Sequence, residues 1–378
     1  PISGSIESLT RVRDQARAQH RQREQGSPYY ELKMPIEEEH GLAMLPEPTA
    51  DDIFLDFEGN HFADGGVEEY LTGYVTKSAD GSFKYTPIWA TSLEEEQRAF
   101  ERFIDFAIAT RQRNPNAHIY HFASYEPAAL KRLMGRFATK DTELDALLRG
   151  KAFVDLLSVT KRALIAGVEN YSIKNLEPLF GYERQQDLRQ ATMSRRIFEA
   201  AREADDFDEI FAEHRQAIED YNREDCESTS RLRDWLEELR TEAIAQGHEL
   251  LRPVPDDGDA TEEISELDAE LHALRDALLE GISLDPDERS DDESARFKLA
   301  HMMEFHRRED KAAWSEKFRL LDMDVEDYFE ERRALAGLQF VETVDDGKAP
   351  VHRYEYLSQD VDARAKEDVF DDEGERVG

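Results

Sequence analysis

The run Ile53-Phe54-Leu55-Asp56-Phe57-Glu58-Gly59 constrains this chain more than any other stretch, because it has the apolar density of a buried strand and carries two carboxylates inside it. Side chains two apart on a strand share a face, so Asp56 and Glu58 point the same way. Two further acidic motifs can converge there: Glu126 in Ser124-Tyr125-Glu126-Pro127, and Tyr221 with Asp225 in Tyr221-Asn222-Arg223-Glu224-Asp225. The last pair is spaced i, i+4, which stacks a phenol and a carboxylate on one helix face.

Carboxylates and one phenol suit a particular chemistry. Phosphodiester hydrolysis needs a neutralised phosphate, a hydroxide at neutral pH and a stabilised leaving oxygen, and two divalent cations about 3.5–4 Å apart supply all three. Mg²⁺ and Mn²⁺ take oxygen ligands, so carboxylates suffice. On this reading Asp56 and Glu58 hold the two ions, Glu126 ligates from the start of a helix, Asp225 closes the cage and Tyr221 orients the attacking water.

The order Asp-x-Glu, then an aromatic-acidic pair, then Tyr-x-x-x-Asp resembles the tyrosine subclass of the DEDD 3′→5′ exonucleases, which have a ribonuclease H-like fold. The segments Phe153-Val154-Asp155-Leu156-Leu157 and Tyr171-Ser172-Ile173-Lys174-Asn175-Leu176-Glu177-Pro178-Leu179-Phe180-Gly181 resemble the connecting stretches of the ribonuclease H-like domain in bacterial RecB-like nuclease–helicase fusions. Residues 9–45 look like the segment that leads into that domain, and residues 302–340 look like the stretch that precedes a superfamily 1 helicase. The resemblance implies a 3′→5′ exonuclease acting on single-stranded DNA rather than RNA within a DNA-processing protein, with a RecB-like nuclease and a helicase as partners. It departs at Glu126, where the family usually has Asp; Asp155 is the reserve ligand.

Strands are expected at Asp52–Glu58, Tyr70–Lys77, Ser82–Ala90 and Ala117–Phe122. A helix capped by Ser92, with Glu95 completing a capping box, and a long helix over Phe207–Leu239 alternate with them. That alternation predicts an α/β fold, a ribonuclease H-like mixed sheet flanked by helices, followed by a mainly helical acidic C-terminal region. The expected divisions are 1–50, a helical and extended lead-in; 51–240, the exonuclease domain; and 241–378, an acidic linker region beginning with Pro253-Val254-Pro255-Asp256-Asp257-Gly258-Asp259. Helices are expected there at 261–279, 294–308, 312–321 and 325–336, and strands at 338–344 and 352–357.

A net charge of −37 argues against a nucleic-acid partner unless the basic residues are concentrated. Residues 111–140 carry six basic side chains against Glu126 alone, whereas residues 251–300 carry sixteen acidic and five basic ones. The expected nucleic-acid contacts are His121, Lys131, Arg132 and Lys174, with a structural role for His121 as the plainer reading. The remaining acidic excess is a solvated surface or a protein-binding one. No apolar run is long enough to span a bilayer, and the expected location is cytoplasmic. The single cysteine, Cys226, excludes an internal disulfide and reads as a small buried residue. No phosphate loop of the G-x-x-x-x-G-K-[ST] type occurs, so ATP hydrolysis is not expected of this chain. The alternative to an enzyme is a catalytically weak nucleic-acid-binding or scaffolding module that couples a nuclease to a helicase.

Overall fold

In the computed structural model, residues 6–36, 39–61, 66–78, 80–203, 208–254, 273–283, 289–303, 331–345 and 351–356 are described, with a few single positions between them. The chain divides into two units, Leu9–Phe305 and a second made of Pro1–Ser8 with His306–Gly378.

The larger unit starts at Leu9 within helix α1 (Ile6–Gln25), followed by strand β1 (Tyr30–Leu32). Three long strands follow: β2 (Ile53–Asn60), β3 (Glu68–Lys77) and β4 (Phe83–Trp89). Then come α2 (Leu93–Arg113), β5 (Ile119–His121), α3 (Tyr125–Phe137), α4 (Asp141–Arg149) and β6 (Phe153–Asp155). The sheet order is β4-β3-β2-β5-β6. β2 pairs antiparallel with β3 and parallel with β5, and β5 pairs parallel with β6, so the sheet is mixed as expected. β2 thus sits at the centre, where the chain switches from hairpin connections to helical crossovers, and such switch points are where α/β sheets place ligands.

Alternation along β2 gives its two faces different neighbours. Ile53, Leu55 and Phe57 join Phe100, Phe103 and Ile104 of α2 and Leu130 and Leu133 of α3 in one core. Phe54 turns the other way, into a second core with Val75, Tyr120 and Leu232, Trp235 and Leu236. The last three lie on α8 (Asp208–Ala245), a 38-residue helix that also packs on β3. Asp56 and Glu58 share the Phe54 face by the same alternation, which aims them at α8.

α2 begins where expected, with Ser92 Oγ accepting from Glu95 N. The capping box needs a correction: Glu95 reaches one residue further, accepting from Thr91 N at 2.8 Å and Thr91 Oγ1 at 2.6 Å. Three acidic residues in its first turn and Arg111 and Arg113 in its last suit the helix dipole. Between β6 and α8 lie α5 (Leu156–Ala163), β7 (Leu164–Ala166), α6 (Ile173–Phe180) and α7 (Leu188–Glu203). β7 pairs with β1 in a separate two-stranded sheet, which ties the N-terminal lead-in to this unit.

Beyond α8 the chain stays on the same unit: Arg252 donates to Leu45 O and Pro46 O and pairs with Glu237, and Arg275 pairs with Asp141. A helix at Asp291–Met302 carries a complete capping box between Ser290 and Glu293, so it starts earlier than its apolar pattern suggests. In the second unit, Gln339–Asp345 and Val351–Glu355 form an antiparallel hairpin. The helices expected at 312–321 and 325–336 fall largely outside the described residues, and residues 331–336 are turn and loop rather than helix. Among the described residues no helix is long and apolar enough to cross a membrane.

Candidate active site

Asp56 and Glu58 on β2 meet Asp225 on α8, and a carboxylate oxygen from each lies within 4.8 Å of the other two. Three carboxylates this close, with Glu58 and Asp225 buried and Asp56 half-buried, repel one another strongly. Burial, reinforced by Asp225, Glu58 and Glu126, pushes the Asp56 carboxyl well above the ordinary range. Burial likewise pushes Glu58 up to about 8, against the pull of the Arg195 guanidinium. Such a cluster is stable in its ionised form only with cations among its oxygens.

Three side chains of this chain supply part of that charge. Arg195 Nε lies 2.9 Å from Glu58 Oε2, Arg184 Nη2 lies 2.5 Å from Asp225 Oδ1, and Lys174 Nζ lies 3.3 Å from Asp225 Oδ2. All three also gather on the Tyr221 ring, at 5.7, 5.9 and 4.8 Å from its centroid respectively. Burial and Asp225 raise the Tyr221 pKa while Lys174 opposes them, so the phenol keeps its proton at neutral pH and can donate it. Arg184 is itself held by Glu177 through Nε and Nη2, and Ser228 Oγ donates to the same Glu177 oxygen.

Asn222, one residue after Tyr221 on α8, donates to Asp56 Oδ2 at 2.8 Å and to Asp56 O at 3.2 Å, and its own oxygen accepts from Tyr85. This close approach requires Gly73 on β3, since a Cβ there would collide with Asn222 Oδ1. Asn222 is fully buried and has no room to swing aside. Gly73→Ala is therefore expected to cost about 1–3 kcal/mol, read as a lower urea midpoint. A variant as stable as the wild type would mean that Asn222 is free to move.

Glu126 stands apart from the three. It lies buried in the first turn of α3, as its motif suggested, with its charge felt at Asp56. Its Oε2 makes no hydrogen bond among the described residues, with His121 Nδ1 3.6 Å away. His121 is 3% exposed and its Nδ1 is 2.5 Å from Ala123 O. That corrects the expectation of a nucleotide contact: a ring enclosed between β5 and α3 has no surface to offer a strand. Burial draws the His121 pKa down, but Glu126 and Asp155 outweigh it and leave it raised, while burial raises Glu126 against the pull of His121. Asp155, the reserve ligand, caps α5: its Oδ1 accepts from Leu157 N, Ser158 N and Ala123 N.

The basic stretch expected to carry the substrate is used internally. Arg132 pairs with buried Glu69, Arg136 with Glu96 at 2.9 Å, Lys140 with Asp105 at 2.6 Å, and Arg111 donates to Ala117 O. Lys131 is half-buried on α3. Lys174 is the expected contact that the fold delivers to the acidic cluster. Sequence reasoning missed Asn222, Arg184 and Arg195. A usable signal did exist: buried carboxylates need cations, and residues 174–196 hold Lys174, Arg184, Arg189, Arg195 and Arg196 in an otherwise acidic chain. Cys226 is fully buried with its thiol pKa pushed well up by burial, the inert state expected of it.

The donor set is entirely carboxylate oxygen, which fits a hard divalent cation, and Glu126, outside that set, has a buried oxygen without a hydrogen-bond partner among the described residues. Residues 53–237 match a family model described as RNase_H superfamily, a span that contains the five-stranded sheet together with Asp56, Glu58, Glu126 and Asp225. No curated protein and no solved structure matches the chain. The domain is ribonuclease H-like in fold, and that family together with the acidic cluster points to a metal-dependent nuclease.

Proposed function

We propose that this chain is a two-metal 3′→5′ exonuclease that hydrolyses phosphodiester bonds of single-stranded DNA. The observation that carries the reading is the convergence of Asp56, Glu58 and Asp225 within 4.8 Å, from a strand and a helix far apart in sequence. Two bound Mg²⁺ or Mn²⁺ ions would supply the activated water and the stabilised leaving oxygen. Asp56, Glu58 and Asp225 would hold them, with Glu126 as the fourth carboxylate. Asn222 fixes the Asp56 carboxylate, and Arg184 fixes that of Asp225. Tyr221, protonated and one helical turn from Asp225, would orient the attacking water, with Lys174 holding the phenol in place.

Polarity and the preference for DNA rest on the resemblance to DEDD exonucleases, as does placement between a RecB-like nuclease and a superfamily 1 helicase. The division into residues 1–50, 51–240 and 241–378 belongs to the same proposal. A binding or scaffolding module is the second reading, and the ion pairs of Glu58 with Arg195 and of Asp225 with Arg184 favour it, since they neutralise the cluster without metal. Digestion of end-labelled single- and double-stranded DNA and RNA with Mg²⁺, Mn²⁺ or EDTA separates the two. Metal-dependent shortening from the 3′ end supports the exonuclease, and no cleavage at millimolar metal supports the scaffold.

Tyr221→Phe removes only the proton that places water. It is expected to slow single-turnover cleavage on the order of 10²-fold while leaving the calorimetric Mn²⁺ affinity unchanged. Equal loss of both would make the phenol part of the metal site.

A further inference from the structure

Among the described residues, α7, the helix that brings Arg195 to Glu58, also carries exposed arginines that the acidic cluster does not use. α7 buries Ala191, Ser194, Phe198 and Ala201 on one face. The opposite face presents Arg189, Met193 and Arg196, spaced i, i+4, i+7, all exposed, with Met193 60% exposed. Neither Arg189 nor Arg196 has a carboxylate at ion-pair distance among the described residues, whereas Arg195 and Arg202 on the flank of the same helix pair with Glu58 and Glu68. In a chain of net charge −37, two open arginines on one helix face form a local cationic patch whose geometry suits a phosphate. Arg195, half-buried on the flank between that face and the buried one, has its guanidinium on Glu58, so the same helix that carries the open arginines also borders the acidic cluster.

We propose that the exposed face of α7 is the track for the substrate strand, with Arg189 and Arg196 on successive phosphates and Met193 against a base between them. The proposal rests on the nuclease reading and adds to it the residues that hold the strand. Two turns of helix separate the arginines by about 10.5 Å, a span that bridges backbone phosphates rather than the two sides of one phosphate. Arginine suits the task because its planar fork meets phosphate oxygens in pairs. The exposed thioether is polarisable and tolerates any base, as an enzyme without sequence preference requires. Contacts of this kind set affinity and salt dependence and do not touch the reacting atoms.

The test uses the full chain and the double variant Arg189→Glu/Arg196→Glu; both positions are exposed, so the fold should survive. Binding of a fluorescently labelled single-stranded oligonucleotide is followed by anisotropy in Ca²⁺ over a series of salt concentrations. Hydrolysis of bis(p-nitrophenyl) phosphate in Mn²⁺, which has no second phosphate to meet Arg189 or Arg196, reports on the catalytic cluster alone. The variant is expected to bind at least about tenfold more weakly, with the slope of log affinity against log salt reduced by about 1.4, or about 0.7 for each lost single-strand phosphate contact. Its hydrolysis of the small ester should equal that of the wild type. Unchanged affinity and slope in a wild-type background that cleaves DNA would remove the track and leave the nuclease reading standing. Wild-type protein that binds the strand but hydrolyses neither substrate would remove the nuclease reading, and the slope would still decide the track. Wild-type protein that binds no strand would overturn the track outright.

Discussion

Asp225→Ala is expected to lower metal-dependent cleavage by at least about 10³-fold, since losing a shared ligand forfeits several kcal/mol of transition-state stabilisation and each 1.4 kcal/mol is worth tenfold. Asp225 is the carboxylate that α8 brings to β2, and without it Asp56 and Glu58 are the two that remain of the cluster. The same substitution should leave the metal-free protein about as stable as before. It removes one of three mutually repelling carboxylates, while Arg184 keeps its bonds to Glu177. The pairing of lost activity with retained stability distinguishes a ligand from a structural anchor. End-labelled digestion and urea denaturation of one preparation read both quantities. Cleavage within tenfold of the wild type would place the site elsewhere, and Asp56→Ala, expected to behave in the same way, provides the independent check.

Arg233→Met is expected to destabilise the protein by about 3–5 kcal/mol. Arg233 lies on α8 two turns beyond Asp225 and is only 5% exposed, with Nη1 2.6 Å from Asp52 Oδ2. Its guanidinium lies 5.1 Å from the Phe54 ring centroid and 5.0 Å from that of Tyr120, so it pins α8 to both β2 and β5. Asp52 is 2% exposed and would keep Thr49 and the His118 amide as donors, but no opposing charge at this position. Breaking a buried pair from one side is costly because the remaining charge stays desolvated. The double variant Asp52→Asn/Arg233→Met should regain part of the loss, because it removes both charges. A shift of the urea midpoint worth less than about 1 kcal/mol in the single variant would show that water reaches Asp52.

The two acidic motifs were legible because each is local. The alternation in Ile53–Glu58 places both carboxylates on one face whatever the rest of the chain does, and the i, i+4 spacing of Tyr221 and Asp225 holds on any helix. Central strands and long helices were equally legible, since β2, β3, α2 and α8 carry enough periods for the pattern to stand out. β6 passes straight into α5 and α5 into β7, elements of three to eight residues, and such short apolar runs have no period that separates strand from helix.

What the sequence alone determined is therefore the set of groups on offer: paired carboxylates, a phenol one helical turn from one of them, and a mixed α/β frame to hold them. Only the tertiary structure decided which cations meet those oxygens. Arg184 reaches Asp225 and Arg195 reaches Glu58 through the packing of α7 and α8 against the sheet, and Asn222 reaches Asp56 because β3 has a glycine at the crossing. It also decided that Arg132, Arg136 and Lys140 near Glu126 pair with carboxylates of the same unit, which their local charge count could not reveal. Charge along a chain is additive and visible, but pairing depends on distances in space, and those exist only after the helices have docked.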